Sequence, residues 1–161
     1  MAHEFYIGTK HILGVPMTRL AYNQYRGWKL PEDENGDDEG YLVEYSNGGE
    51  KNHPAHEGYI SWSPKAVFEA AYQPVTEMNF GHALEMLHHG HSVCRAGWNG
   101  KGMFVYLVPA AAYPAQTLVA KAVFGEMVPY NAYLALKGVD GTVSTWVPSI
   151  NDVLANDWSI V

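Results

Sequence analysis

The run RAGWNGKGMFVYLVP, residues 95–109, carries the side chains best suited to hold a flat, polar ligand. Trp98 stands beside Asn99, Gly100, Lys101 and Gly102. Glycines let backbone N–H groups approach a ligand closely, because no side chain intervenes. Lys101 adds a cation. Phe104 and Tyr106 alternate with Met103 and Val105, so on a regular strand the two rings share one face. A base stacked on such a ring would leave its phosphate or ribose against the loop. An ordinary hairpin with its aromatics in a core explains the same residues, and the residues alone leave both readings open.

The other chemistry-bearing groups are weaker. The chain has eight histidines. His88, His89 and His91 in HHGH resemble a metal cluster, but adjacent helical histidines point in different directions and no Cys or acid completes the set. They read as a solvated helix end, where partial positive charge suits the C-terminus. His53 and His56, with Glu57, sit in NHPAHEG; this is not an HExxH arrangement, and the proline argues for a loop. Glu32, Asp33 and Glu34 belong to a solvated loop. No G-x-S-x-G, P-loop or G-x-G-x-x-G occurs, and NGKG lacks the Walker spacing and its Ser/Thr. With no nucleophile, base and orienting group to name, the expectation is a protein without catalytic residues, metal or cofactor.

Composition narrows the partners. The net charge is −7, and the ten Lys and Arg are scattered over 161 residues. Gripping a polyphosphate backbone takes clustered basic side chains that displace counterions, so nucleic acid is not expected as a partner. A small anion remains open, because a few N–H groups and one cation can hold it locally. The single cysteine, Cys94, forbids an intramolecular disulfide and reads as a small core hydrophobe, which fits a reducing cytoplasm. MAHEFYIGTKHI is not a signal peptide, and no stretch approaches a membrane span.

The elements that must position these groups follow from periodicity and turn chemistry. Phe5 to Ile7 reads as a short strand. Thr18 caps a helix in RLAYNQYRGW that Gly27 ends. PEDENGDDEG is a loop, and YLVEY and YISW are strands. SPKAVFEAAY is a helix with Ser63 as N-cap and Pro64 at its first position. The joint, Gln73 to Thr76, is short and carries Pro74, so the two halves are expected to be docked. In the second half Phe80, Ala83, Leu84 and Leu87 mark an amphipathic helix stopped by Gly90. SVCRAGW and MFVYLV flank the turn signal Asn99-Gly100. The segment Pro109 to Glu126 is ambiguous between helix and irregular structure. YNAYLALKG and TVSTWVP surround a hairpin at Val139-Asp140-Gly141. Ser149 caps a short helix, and DWSIV ends the chain as a strand. The expected class is α+β, with small, mainly antiparallel sheets and short helices.

Two long motifs, MNFGHALEMLHHGHSVCRAGWNGKGMFVYLVP and DGTVSTWVPSINDVLANDWSIV, resemble the phage Thoeris anti-defence 2 family over residues 78–161. The segment between them, Ala110 to Tyr130, matches poorly. The resemblance implies a sponge that binds a cyclic ADP-ribose isomer or a related cyclic nucleotide without degrading it. It also implies a homo-oligomer, commonly a tetramer, in the cytoplasm of the infected host. Under it the candidate ligand contacts are Trp98, Asn99, Gly100, Lys101, Gly102, Phe104 and Tyr106, joined by Trp146 and Asp157 from the C-terminal motif. Asp157 would meet ribose hydroxyls, since a carboxylate repels phosphate. Residues 1–74, with YIGTK, PMTRLAYNQYRGW and GYISWSPKAVFEAAY, resemble a phage module of unassigned role. The alternative reading is a phage structural or host-protein interaction module with no small-molecule ligand. A nucleotide-cleaving enzyme is a third reading, without residues to support it.

Overall fold

The computed structural model describes residues 3–161. It is α+β, with antiparallel strand pairing throughout its three small sheets. The chain divides into two compact units, Met1–Tyr72 and Gln73–Val161. No helix among the described residues is long and apolar enough to cross a membrane.

The first unit is a three-stranded sheet in the order β1 (Leu13–Pro16), β2 (Gly40–Tyr45), β3 (Tyr59–Pro64). Alternation along β2 sends Leu42 to one face and Tyr41 and Val43 to the other. Leu42 packs with Ile60 and with Tyr22 of α1 (Arg19–Tyr25), whereas Tyr41 stacks at 4.0 Å on Phe68 of α2 (Lys65–Ala71). Thr18 caps α1 by accepting from the Ala21 N–H at 3.2 Å, as the sequence predicts.

Two expectations fail here. Phe5, Tyr6 and Ile7 form no strand and stand 95, 80 and 94 % exposed. The strand forms at Leu13–Pro16 instead, where β2 offers a partner ladder. Ser63 is not a helix cap either. It pairs with Tyr41, the strand runs on to Pro64 opposite Gly40, and α2 starts at Lys65 without a side-chain cap. The ladder holds Ser63 extended and overrides the local capping preference.

The second unit centres on a five-stranded sheet, and α3 (Phe80–His88) covers one of its faces. Its strand order is β10 (Trp158–Ile160), β4 (Val93–Arg95), β5 (Phe104–Val108), β8 (Tyr133–Lys137), β9 (Val143–Trp146). The predicted stripe is real, and Met86 extends it: Ala83, Met86 and Leu87 are buried against Val93, Val105 and Trp158. Gly90, at φ +86°, ends the helix. The ambiguous segment is a separate arm. β6 (Ala111–Pro114) and β7 (Met127–Tyr130) pair, and between them Thr117 caps α4 (Leu118–Phe124). The hairpin at Val139-Asp140-Gly141 forms as expected, with Gly141 at φ +83°.

The turn at Asn99-Gly100 does not join two paired strands tightly. β4 ends at Arg95, β5 begins at Phe104, and the left-handed residue of the connection is Gly102 at φ +74°. The base of this loop is fastened elsewhere: Ala96 N–H donates to the Asp157 carbonyl at 3.1 Å and Gly97 N–H to the Asp157 carboxylate at 2.7 Å.

Candidate functional site

The sheet sorts the sequence-nominated residues onto two faces. Val105 and Leu107 of β5, with Leu134 and Leu136 of β8, point to the core under α3. Alternation therefore sends Phe104 and Tyr106 to the opposite face, where their rings lie 6.1 Å apart. Register places Lys137 directly opposite Phe104, and its ammonium sits 6.0 Å from that ring. The same ammonium donates to the Gly102 carbonyl at 3.0 Å, pinning the loop. Lys101 is exposed, with no carboxylate paired to it among the described residues. Gly100 is needed for packing, because a Cβ there would run into the Met103 and Val139 side chains. This face thus brings together two rings and the Lys137 ammonium, and the glycine loop that carries the exposed Lys101 leads into β5. Lys137 was missed from sequence; the parity of LALKG against MFVYLV is the signal that would have found it.

Trp98, Trp146 and Asp157 lie elsewhere. Trp98 is half-buried on the core side, edge-on to Trp158 at 5.4 Å and to Trp146 at 6.1 Å. Its indole N–H donates to Asp152 at 3.1 Å. Trp146 in turn meets Trp158 edge-on at 6.1 Å. The three tryptophans are a packed cluster, and Trp98 does not stand beside Phe104 and Tyr106 as a common platform.

That cluster is framed by a charge network that sequence reasoning did not assemble. Arg95 donates from Nε to Asp157 at 2.7 Å and from a terminal nitrogen to Asp152 at 2.9 Å. Ser149 opens α5 (Ile150–Val153) with a capping box: its hydroxyl accepts from the Asp152 N–H, and the Asp152 carboxylate accepts from the Ser149 N–H. Burial of Asp152 raises its pKa, but donors from Ser149, Arg95 and Trp98 outweigh that and hold it at about 2. The Arg95 hydrogen bond lowers the Asp157 pKa despite desolvation, with Gly97 N–H adding to the effect. Both carboxylates and the guanidinium between them are thus committed to one another. Both halves of the motif, RxGWNGKG and DxLAxDW, are what this network joins.

In the first unit, His56 finds a partner other than Glu57. Its Nδ1 lies 2.7 Å from Glu44 and its Nε2 lies 2.9 Å from the Tyr25 hydroxyl. Glu57 contributes only its backbone N–H, donated to Glu44 at 3.0 Å. The hydrogen bond from His56, then that of the Gly58 N–H, holds the Glu44 carboxyl below its usual range. His53 stacks on Tyr25 at 4.6 Å. His88, His89 and His91 stand exposed at the helix end.

The family model for the Thoeris anti-defense 2-like domain matches residues 78–161, the span that holds the five-stranded sheet, the arm and the Arg95 network. The chain belongs to the Thoeris anti-defense 2-like family. It is 40 % identical over 92 residues to Thoeris anti-defense 2 of Bacillus phage SP01, an alignment covering 53 % of this chain and 97 % of that protein. Family membership supports a phage anti-defence role. The first unit lies outside the matched span.

Proposed function

We propose that the protein inhibits a host defence by binding and sequestering a cyclic ADP-ribose-type signal without degrading it. The observation that carries this reading is the 40 % identity to Thoeris anti-defense 2 across 97 % of that relative. The face bearing Phe104, Tyr106 and Lys137 supports it chemically. A nucleobase stacks on a ring, and the Lys137 ammonium beside the glycine loop meets a pyrophosphate. Trp98, Trp146 and Asp157 serve that face indirectly, by fixing the frame from which the loop springs.

We further propose that the working form is a homo-oligomer. On α4, Leu118, Val119, Val123 and Phe124 are 87, 75, 68 and 54 % exposed. Apolar surface this concentrated on one short helix marks an interface.

One experiment tests the central claim. The protein is saturated with a cyclic ADP-ribose isomer made by a TIR-domain enzyme, held for hours and heat-denatured, and the supernatant is analysed. Sequestration returns the ligand intact in near-full yield. Linear ADP-ribose accumulating with protein and time would show an enzyme, and failure to bind would favour an interaction module without a small-molecule ligand.

A further inference from the structure

The first unit contains a cavity of about 430 Å³ built around two arginines and four aromatic rings. Its two guanidinium groups are in different states. Arg19 lies 4.4 Å over Trp62 and is neutralised by Glu34 at 2.9 Å and Asp38 at 3.3 Å. Arg26 lies 4.2 Å over Trp28, and the hydrogen bond it donates goes to the Tyr22 hydroxyl at 3.3 Å. Among the described residues no carboxylate pairs with Arg26. Most of the five N–H donors of this guanidinium therefore remain unspent.

The local fold prepares this arrangement. α1 closes with a Schellman turn: Gly27, at φ +70°, donates to the Gln24 carbonyl at 3.0 Å, and Trp28 donates to the Asn23 carbonyl at 2.8 Å. That turn brings Trp28 back beside Arg26 while leaving its ring 53 % exposed. Tyr59, across the cavity, is 43 % exposed. The stack of Arg26 on Trp28 engages the face of the guanidinium and leaves its edge toward the solvent-facing cavity.

We propose that this cavity is a second binding site, independent of the sheet face in the other unit, and that it takes a small oxyanion carried on a planar ring. A guanidinium edge matches a carboxylate or a phosphate through two parallel hydrogen bonds. Its free face, with the exposed Trp28 and Tyr59, receives the ring. The volume lies within the range of small-molecule sites and admits one ring system with its anionic group. Glu34 in the lining works against a polyanion. The phosphate ester and the aromatic carboxylate share this chemistry, and the test separates them.

The test uses the full chain with its tryptophan indole nitrogens labelled, the Trp28 signal being assigned with Trp28→Phe. Adenosine monophosphate, benzoate and inorganic phosphate are titrated separately. At least one ring-bearing oxyanion should move the Trp28 indole resonance in a saturable way. Adenosine monophosphate alone doing so identifies the phosphate ester, benzoate alone the carboxylate, and both the shared chemistry. Arg26→Gln should weaken binding by at least about tenfold, the loss expected for a hydrogen bond to a charged group. Arg26→Lys, which keeps the charge and the stem, should fall between and covers the case in which the Gln variant fails to fold. Lys101→Gln, in the other unit, should leave the Trp28 titration unchanged. An unmoved Trp28 signal with both ring-bearing probes at millimolar concentration overturns the proposal. So does a titration indifferent to Arg26, or inorganic phosphate binding as tightly as the ring-bearing probes.

Discussion

Arg95 and Arg26 are both partly covered arginines beside tryptophans, yet the two units use them in opposite ways. Arg95 is clamped between Asp152 and Asp157, 6.0 Å from the Trp158 ring centroid, and is fully engaged in holding β4, α5 and β10 together. Arg26 stacks on Trp28 with no acidic partner among the described residues. The difference teaches how to separate a structural cation from a binding one. A guanidinium whose donors are answered by carboxylates within the fold has little left for a ligand, whereas one held by stacking and a single hydroxyl keeps most of its fork open. The same contrast divides Trp98, whose N–H and ring are engaged by the core side, from the part-exposed Phe104 and Tyr106 on the opposite sheet face.

The sharpest way to break this comparison is to remove Arg95. Arg95→Met strands two part-buried carboxylates and should cost about 3 kcal/mol, the lower end for breaking a buried ion pair. Urea unfolding followed by tryptophan fluorescence reads this directly, and a midpoint shift no larger than that of an exposed substitution would abolish the distinction.

Trp98→Ala should follow, at about 2–3 kcal/mol, because a half-buried indole leaves a cavity smaller than a fully buried one. Trp98→Phe should restore much of the stability but not the hydrogen bond to Asp152. Weaker ligand binding with an unchanged melting temperature in Trp98→Ala would instead put Trp98 at the ligand.

The Asp152 carboxyl sharpens the comparison through pH. Its pKa falls from 3.8 to about 2 on folding, so it contributes stability that is fully present above the unfolded value and lost as pH falls through the folded one. The contribution is about 2 kcal/mol at neutral pH. Acid titration of the unfolding free energy should show this loss between about pH 4 and pH 2, and Asp152→Asn should flatten that part of the curve.

The smallest effect belongs to Arg26. Arg26→Gln removes an exposed cation–π contact and should cost only about 0.5–1 kcal/mol in the same urea assay. A loss as large as that of Arg95→Met would make Arg26 a structural cation and erase the contrast between the units.

Much of the scaffold is legible in local chemistry. Thr18 and Ser149 identify helix starts, Gly27 and Gly90 identify helix ends, and the Phe80–Leu87 stripe identifies the face α3 buries. These succeed because each signal is satisfied within a few residues of itself. Ser63 and the Phe5–Ile7 run mislead because their fate depends on whether a distant strand is available to pair.

Sequence by itself determined which residue types the Trp98–Gly102 loop presents, that Phe104 and Tyr106 share a face, and that the C-terminal motifs belong together. Strand alternation and turn chemistry are local rules, and a long ordered motif is read directly. Tertiary structure alone decided which face each ring occupies, that Lys137 sits opposite Phe104, and that Trp98 and Asp157 are engaged by the frame. It also decided that His56 answers Glu44 rather than Glu57, and that Arg26 is left without an acid. The physical reason is common to all of these. A charged or aromatic side chain takes its role from the partners that reach it, and those partners lie tens of residues away along the chain, brought close only by sheet register and by the packing of the core.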